Sequence, residues 1–303
     1  MKRIAGIYGI IAMGLFLFSL PSRVEGANVT VNCSFQSLQA AIKTAAANTK
    51  IIVKGTCNEN VVIDVKKTKI TIDGRGTATV NGPDITKQTI DVRGKDIVIK
   101  SLHITGGNNG IRVLLGATAT IDGNTIDSAD NNGVNINTGG IAFVINNTIH
   151  DNGNNGIEVH DNAVAHIGFV GYSDTAAQPN VIESNAKHGI DVQRSSSASI
   201  VGNIIQNNLQ NGIKIQRDSH ADIASNTIDG NGDDGIRVET NSGVNLGSDT
   251  GSSIFSLPND TATPNVNNGI SCDIGGYADG LLGTLNGSGG PTSFSNGCIN
   301  SLL

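Results

Sequence analysis

The sequence predicts an all-β fold, a right-handed parallel β-helix with coils of 23 residues, and three observations carry that prediction. A Gly-Ile or Gly-Val step recurs with its glycine at Gly110, Gly133, Gly156, Gly189, Gly212, Gly235 and Gly269, at intervals of 23, 23, 33, 23, 23 and 34. Asn124, Asn147, Asn180, Asn203 and Asn226 keep the same frame, at intervals of 23, 33, 23 and 23. Each glycine also opens a short alternating segment, such as Ile157-Glu158-Val159 or Ile190-Asp191-Val192, which is strand patterning with β-branched residues inward. Segments such as Ala165-His166-Ile167 lie between the landmarks, so a coil holds three short strands and three turns. Strands that short must pair with the coils above and below, which is a solenoid, and crossover preference makes it right-handed. Hairpins of a sandwich would not hold a 23-residue frame through insertions of 10 and 11 residues.

Taken from the N-terminus, Lys2 and Arg3 precede an apolar run, Ile4 to Leu20, and Val24 and Gly26 offer a cleavage site. Residues 1–26 read as a secretory signal cut after Gly26. Gly6, Gly9 and Gly14 dilute the run too far for a stable anchor, and nothing later resembles a membrane span. The mature chain, 27–303, is expected to form one domain in a secreted or periplasmic setting. Ser37 to Ala47 has helical spacing (Leu38, Ala41, Ile42, Ala45) with Ser37 as N-cap, a helix to cover the first coil within a 27–50 cap. Coils follow through Ile51-Ile52-Val53, Ile70-Thr71-Ile72 and Ile97-Val98-Ile99. Residues 275–303 lose the period and are expected to cap the far end.

Composition agrees with small, regular layers: 39 glycines, no Trp, and 3% aromatic residues. After signal removal 17 basic and 25 acidic residues leave a net charge of −8, without a basic run, so neither nucleic acid nor an anionic membrane is the expected partner. The four cysteines, Cys33, Cys57, Cys272 and Cys298, allow three pairings. Local pairing at each end is the economical one in an oxidising compartment, each loop being worth roughly 3 kcal/mol.

Ser37-Leu38-Gln39-Ala40-Ala41-Ile42, Val53-Lys54-Gly55-Thr56-Cys57, Ile72-Asp73-Gly74-Arg75-Gly76 and the Asn-Gly-Ile series together resemble the pectin-lyase-like superfamily, in particular its generic right-handed β-helix repeat proteins. The resemblance spans Val29 to Cys272 and implies the fold. Activities in that superfamily range over lyases, hydrolases, esterases, epimerases and non-catalytic proteins. It also implies a place for chemistry, the outer face of the strand after the Asn-Gly-Ile turn. There one column runs Arg112, Asn135, Glu158, Asp191, Lys214, Arg237, and the next Leu114, Asn137, His160, Gln193, Gln216, Glu239. With coils about 4.8 Å apart, Glu158 to Arg237 spans roughly 15 Å, a few sugar units.

Two functional readings follow. In the first, the strip binds or cleaves acidic polysaccharide, with Glu158, His188, Asp191, Lys214 and Arg237 as catalytic candidates and His160, Arg194, Arg217, Asp233 and Asp234 as substrate-binding ones. Carboxylates such as Glu158 and Asp191 would act as acid and base or hold Ca²⁺, while Lys214, Arg217 and Arg237 would pair with uronate carboxylates. In the second, the strip is a ladder of opposite charges worth about 0.2–1 kcal/mol per pair, and the chain is a non-catalytic surface or matrix protein. The Asn-Thr-Asp, Asp-Asp, His-Gly, Arg-x-Lys order of polygalacturonase-like hydrolases is missing, as are the methylesterase Gln-Asp pair and the epimerase Asp-Pro-His-Asp. Of the few aromatics, Phe169, Tyr172 and Phe255 fall in the insertions, and His103, His150, His166 and His220 stand singly with no ligand spacing, each expected to face solvent.

Overall fold

A computed structural model describes residues 26–171, 174–247 and 256–303; the predicted signal segment through residue 25, Tyr172 and Phe255 lie outside them. Inward Ile and Val side chains at every second strand position build the fold. Three strands and three turns make one coil, and about twelve coils stack. The strand pairings are parallel, with Cα registers that keep the 23-residue frame. Two faces join into an 18-stranded sheet because the long strands Thr71–Gly82 and Ile97–Gly106 run round the corner between them. The third face is a ten-stranded sheet from Val61–Ile63 to Gly290–Phe294. One continuous apolar cluster fills the interior from Val31 to Leu285. Each buried Ile in it contributes about 1.5–3 kcal/mol relative to exposure.

The glycine series is explained by close approach. None of its members has positive φ. A Cβ at Gly133 would stand 2.8 Å from the Gly156 carbonyl oxygen, and one at Gly189 would stand 2.6 Å from that of Gly212. Asparagine tolerates left-handed backbone, and its amide can stack from coil to coil. Only the stacking falls on these residues; positive φ belongs to the residue before, as at Gly123, Asn146, Gly202 and Ser225. Buried Asn124 donates from Nδ2 to Asn147 Oδ1 (3.0 Å), Asn147 to Asn180 (2.9 Å), Asn180 to Asn203 (2.8 Å), Asn203 to Asn226 (3.1 Å) and Asn226 to Asn259 (2.9 Å). The same amides satisfy backbone carbonyls, so the corner buries polar groups with partners. A second ladder runs Asn152, Asn185, Asn208, Asn231, Asn265, which the 23-residue frame would have revealed.

At the N-terminal end the helix spans Leu38–Thr44, with Ser37 as N-cap accepting from the Ala40 N–H. It stops short of Ala47, the backbone leaving the helical region at Ala45 (ψ 129°), and Lys67 Nζ donates to the Lys43 and Ala45 carbonyls (2.7 and 2.8 Å). Glu59 reaches over from the next coil to accept from the Leu38 and Gln39 N–H groups. Both disulfides join local partners, Cys33 with Cys57 and Cys272 with Cys298. The C-terminal stretch continues the stack instead of leaving it: Tyr277–Gly280 pairs with Gly243–Leu246, and Ile299–Leu302 with Tyr277–Gly280. No helix among the described residues is long and apolar enough to cross a membrane.

Candidate functional site

The outward column of the ten-stranded sheet falls in the order read from sequence, with Arg112, Asn135, Glu158, Asp191, Lys214 and Arg237 as successive Cα partners, and the structure extends it by Asp91 beside Arg112. It is no alternating ladder. Glu158 stands directly beside Asp191, and Lys214 beside Arg237, like charges in register that cost stability on a sheet. Over these coils lies a polar groove of about 360 Å³, lined among others by Glu158, Lys187, His188, Asp191, Lys214 and Arg217.

Asp191 is the floor of that groove and only 4% exposed. Its carboxylate accepts from Gln216 Nε2 (3.0 and 3.2 Å) and Gln193 Nε2 (3.2 Å). Among the described ion pairs none includes Asp191; Lys214, its neighbour on the sheet, turns to Glu239 instead (2.9 Å). Burial, with Glu158 adding repulsion, pushes the Asp191 carboxyl up to about 6, against the lowering pull of Gln216, Lys214 and Arg217. Glu158 is held by amides too, from Asn132 (2.8 Å), Asn135 (2.7 Å) and Gln193 (2.7 Å). Gln193 thus bridges both carboxylates, and its own oxygen accepts from Arg217 (2.8 Å).

His188 occupies a place that asparagine or aspartate holds in neighbouring coils. The column Asn109, Asn132, Asn155, His188, Asn211, Asp234, Asn268 passes one backbone N–H per coil onto the side chain before it. The imidazole Nδ1 accepts from the Asn211 N–H (3.2 Å), so the neutral ring carries its proton on Nε2. Burial, then the charges of Lys214 and Lys187, push His188 down to about 4 and keep it neutral.

Of the ten predicted site residues, the groove brings together Glu158, His188, Asp191, Lys214 and Arg217. The others lie outside its lining. Arg237 is committed to Asp234 (3.3 Å), Glu239 (3.3 Å) and Asp273. Asp234 is buried among Asn268, Ser271 and Arg237, and Asp233 accepts from Asn267. His160 and Arg194 share Asp161, at 2.9 and 3.6 Å. Sequence reasoning did not nominate Lys187, Gln193 or Gln216; the side-by-side glutamines two residues beyond the charged column were the available signal. Phe169 is buried against Val201, so it offers no sugar platform. His103, expected to be merely solvated, holds Asp127 at 2.6 Å, and His166 sits between Phe143 and Phe169.

Ca²⁺ takes six to eight oxygen ligands. Glu158 and Asp191 instead point their oxygens at amide N–H donors, a shell built for anions, and this donor set does not fit the cation. The one described group of three metal-ligand types, Cys33, Cys57 and Glu59, includes a disulfide and lies elsewhere.

Fold and groove define a protein that presents a polar, charge-bearing strip on a β-solenoid. The chain belongs to the family described as right handed beta helix region, which matches residues 48–171 and 167–275. No curated protein sequence matches it. Among solved structures it is similar to pectate lyase Pel9A, with 14% identity and a TM-score of 0.59 over 90% of this chain and 78% of that one. It is also similar to the A-module of Azotobacter vinelandii mannuronan C-5 epimerase AlgE4 (12%, TM-score 0.53, 92% and 77%). A variant of the periplasmic alginate epimerase AlgG is another such structure (13%, TM-score 0.53, 91% and 84%). At these identities the likeness is one of fold.

Proposed function

We propose that this is an extracytoplasmic enzyme acting on an acidic polysaccharide, with the groove over Glu158, Asp191 and Lys214 as its active site. One observation carries the reading: a buried carboxyl, Asp191, has no ion pair among the described residues, yet lies under a groove whose walls hold Lys187, Lys214, Arg217 and His188. Arg217 and Lys187 are the groups to pair with a uronate carboxylate, and that pairing acidifies the adjacent C-5 proton. Asp191, raised toward the working pH, is the base that takes it. The proton for the departing glycosidic oxygen, which gives β-elimination, comes from Asp191 once it holds the C-5 proton or from a wall ammonium, Lys187 or Lys214. Delivery from such an ammonium to the far face of C-5 gives epimerisation, and neutral His188 keeps its proton and offers a hydrogen bond from Nε2–H. That structures of the same fold are named for pectate, mannuronan and alginate, all polymers of uronic acid, supports the substrate class. The two disulfides support an oxidising compartment.

The test is C-5 deuterium incorporation from heavy water into polygalacturonate and alginate, followed by NMR, together with absorbance of unsaturated ends. Asp191→Asn is expected to lower either signal at least ~100-fold. His188→Asn, restoring the residue found at this position in neighbouring coils, should keep the fold and lower turnover. Neither exchange nor unsaturation on any uronate polymer would leave the second reading, a non-catalytic surface or matrix rod, which the scarcity of aromatics favours.

A further inference from the structure

Charge is distributed unevenly along the rod. Residues 27–116 hold twelve Lys and Arg against six Asp and Glu. Residues 117–186 hold eight Asp and Glu and no Lys or Arg, and the five remaining cations are Lys187, Arg194, Lys214, Arg217 and Arg237. Residues 187–303 hold eleven Asp and Glu against those five, so the first coils are the one net basic stretch, and an acidic belt separates them from the cations at the groove.

In the first coils the lysines share a corner. Lys43 is in the last turn of the helix, Lys66, Lys67 and Lys69 are on the following turn, and Lys95 is on the equivalent turn one coil further. The turns are joined by backbone hydrogen bonds, Lys69 N–H to Lys95 O and Lys95 N–H to Lys67 O, both 2.9 Å. Lys67 is pinned by helix carbonyls, and Lys95 Nζ donates to the Gly116 carbonyl. The described lysine ion pairs are those of Lys50, Lys87, Lys100 and Lys214, so none of these five is neutralised that way. Nearby Asp64 accepts from the Lys66 N–H and Asp96 from Thr118 Oγ1. Beside this corner opens a cleft of about 640 Å³, with Ile42, Ala45, Ala46 and Val62 as apolar lining and three lysines, Lys43, Lys66 and Lys67, against one carboxylate, Asp64, among its polar groups. An apolar floor with ammonium groups at its rim matches the C–H face of a sugar ring bearing a carboxylate.

We infer that this lysine corner is a second binding surface for acidic polysaccharide, a non-catalytic tether distinct from the groove. The choice of ligand rests on the proposed function; the surface does not. Val62 and Asp191 are five coils apart, about 24 Å at the usual spacing, and the belt between them is acidic. A long polymer reaches both zones and a short one does not, so the tether acts through effective concentration.

Lys43→Glu, Lys66→Glu and Lys69→Glu together change exposed side chains, so the fold is expected to persist. Binding of fluorescein-labelled polygalacturonate and alginate, titrated against salt, should weaken at least tenfold with a flatter salt dependence, while turnover of short oligouronates stays unchanged. The matching triple Lys→Arg variant should bind as the parent does. Undiminished polymer binding by the Glu variant overturns the inference. So does a concentration-dependent self-association, seen by sedimentation velocity, that the Glu variant loses while its polymer binding is unchanged. Lysine-dependent binding without turnover of any uronate polymer defeats only the groove reading, and turnover with lysine-independent binding defeats only the tether.

Discussion

Asp91 and Asp191 occupy the same outward column of the same sheet, each 4% exposed, and their surroundings make them opposites. Asp91 is enclosed by two arginines, Arg93 Nε and Nη2 at 3.0 and 2.7 Å and Arg112 Nε and Nη2 at 2.9 and 3.1 Å. Asp191 has glutamines where Asp91 has guanidinium groups; Gln193, like Arg93, lies two residues further along the chain. The first carboxylate has its charge answered by the fold and is spent as structure. The second is buried with amide partners and no ion pair among the described residues, which is why it is the proposed base. Burial alone does not distinguish the two carboxylates; the partners do.

That contrast can be erased. Gln193→Arg should supply Asp191 with the guanidinium that Asp91 has, draw its pKa down and cost about 100-fold or more in turnover, read by the same exchange assay. An intact rate would show that Asp191 is not the base. The reverse change bears on stability: Asp91→Asn strands two arginines and should cost about 1.5–3 kcal/mol in denaturant unfolding, with turnover retained. A smaller effect is the pH dependence of stability. Because the folded carboxyl of Asp191 is raised to about 6 from 3.8, its contribution is complete below pH 4 and is lost as pH rises through 6. His188, lowered to about 4, works in the other direction, contributing above its ordinary 6.5 and losing that as pH falls through 4. Asp191→Asn should remove the first slope and leave the second, which thermal unfolding between pH 4 and 7 would resolve.

The coil frame was legible because two independent residue series carry it, and Gly156 or Asn180 must recur wherever backbones or amides stack. The charged column was legible too, since alternation places Glu158, Asp191 and Lys214 on one face. What sequence did not disclose was which charges are satisfied. Lys214 is one coil from Asp191 yet turns to Glu239, and Arg237 joins Asp234 and Asp273. Those choices depend on the reach of long side chains between coils, which no spacing encodes. His188 stands out in the sequence for its chemistry, whereas its place in a stacked asparagine column is defined by hydrogen bonds between coils.

The first asparagine ladder has one more consequence. The Asn147–Asn180 bond crosses an insertion at 2.9 Å, and the Asn226–Asn259 bond crosses the other at the same distance, no longer than the uninterrupted Asn203–Asn226 bond at 3.1 Å. The chain departs and returns at one corner while the spine keeps step. That corner is a port: loops of different length or recognition can be exchanged there without moving the groove residues out of register, because closing a longer loop costs little. A rod built this way can vary at its edge while its coils keep register.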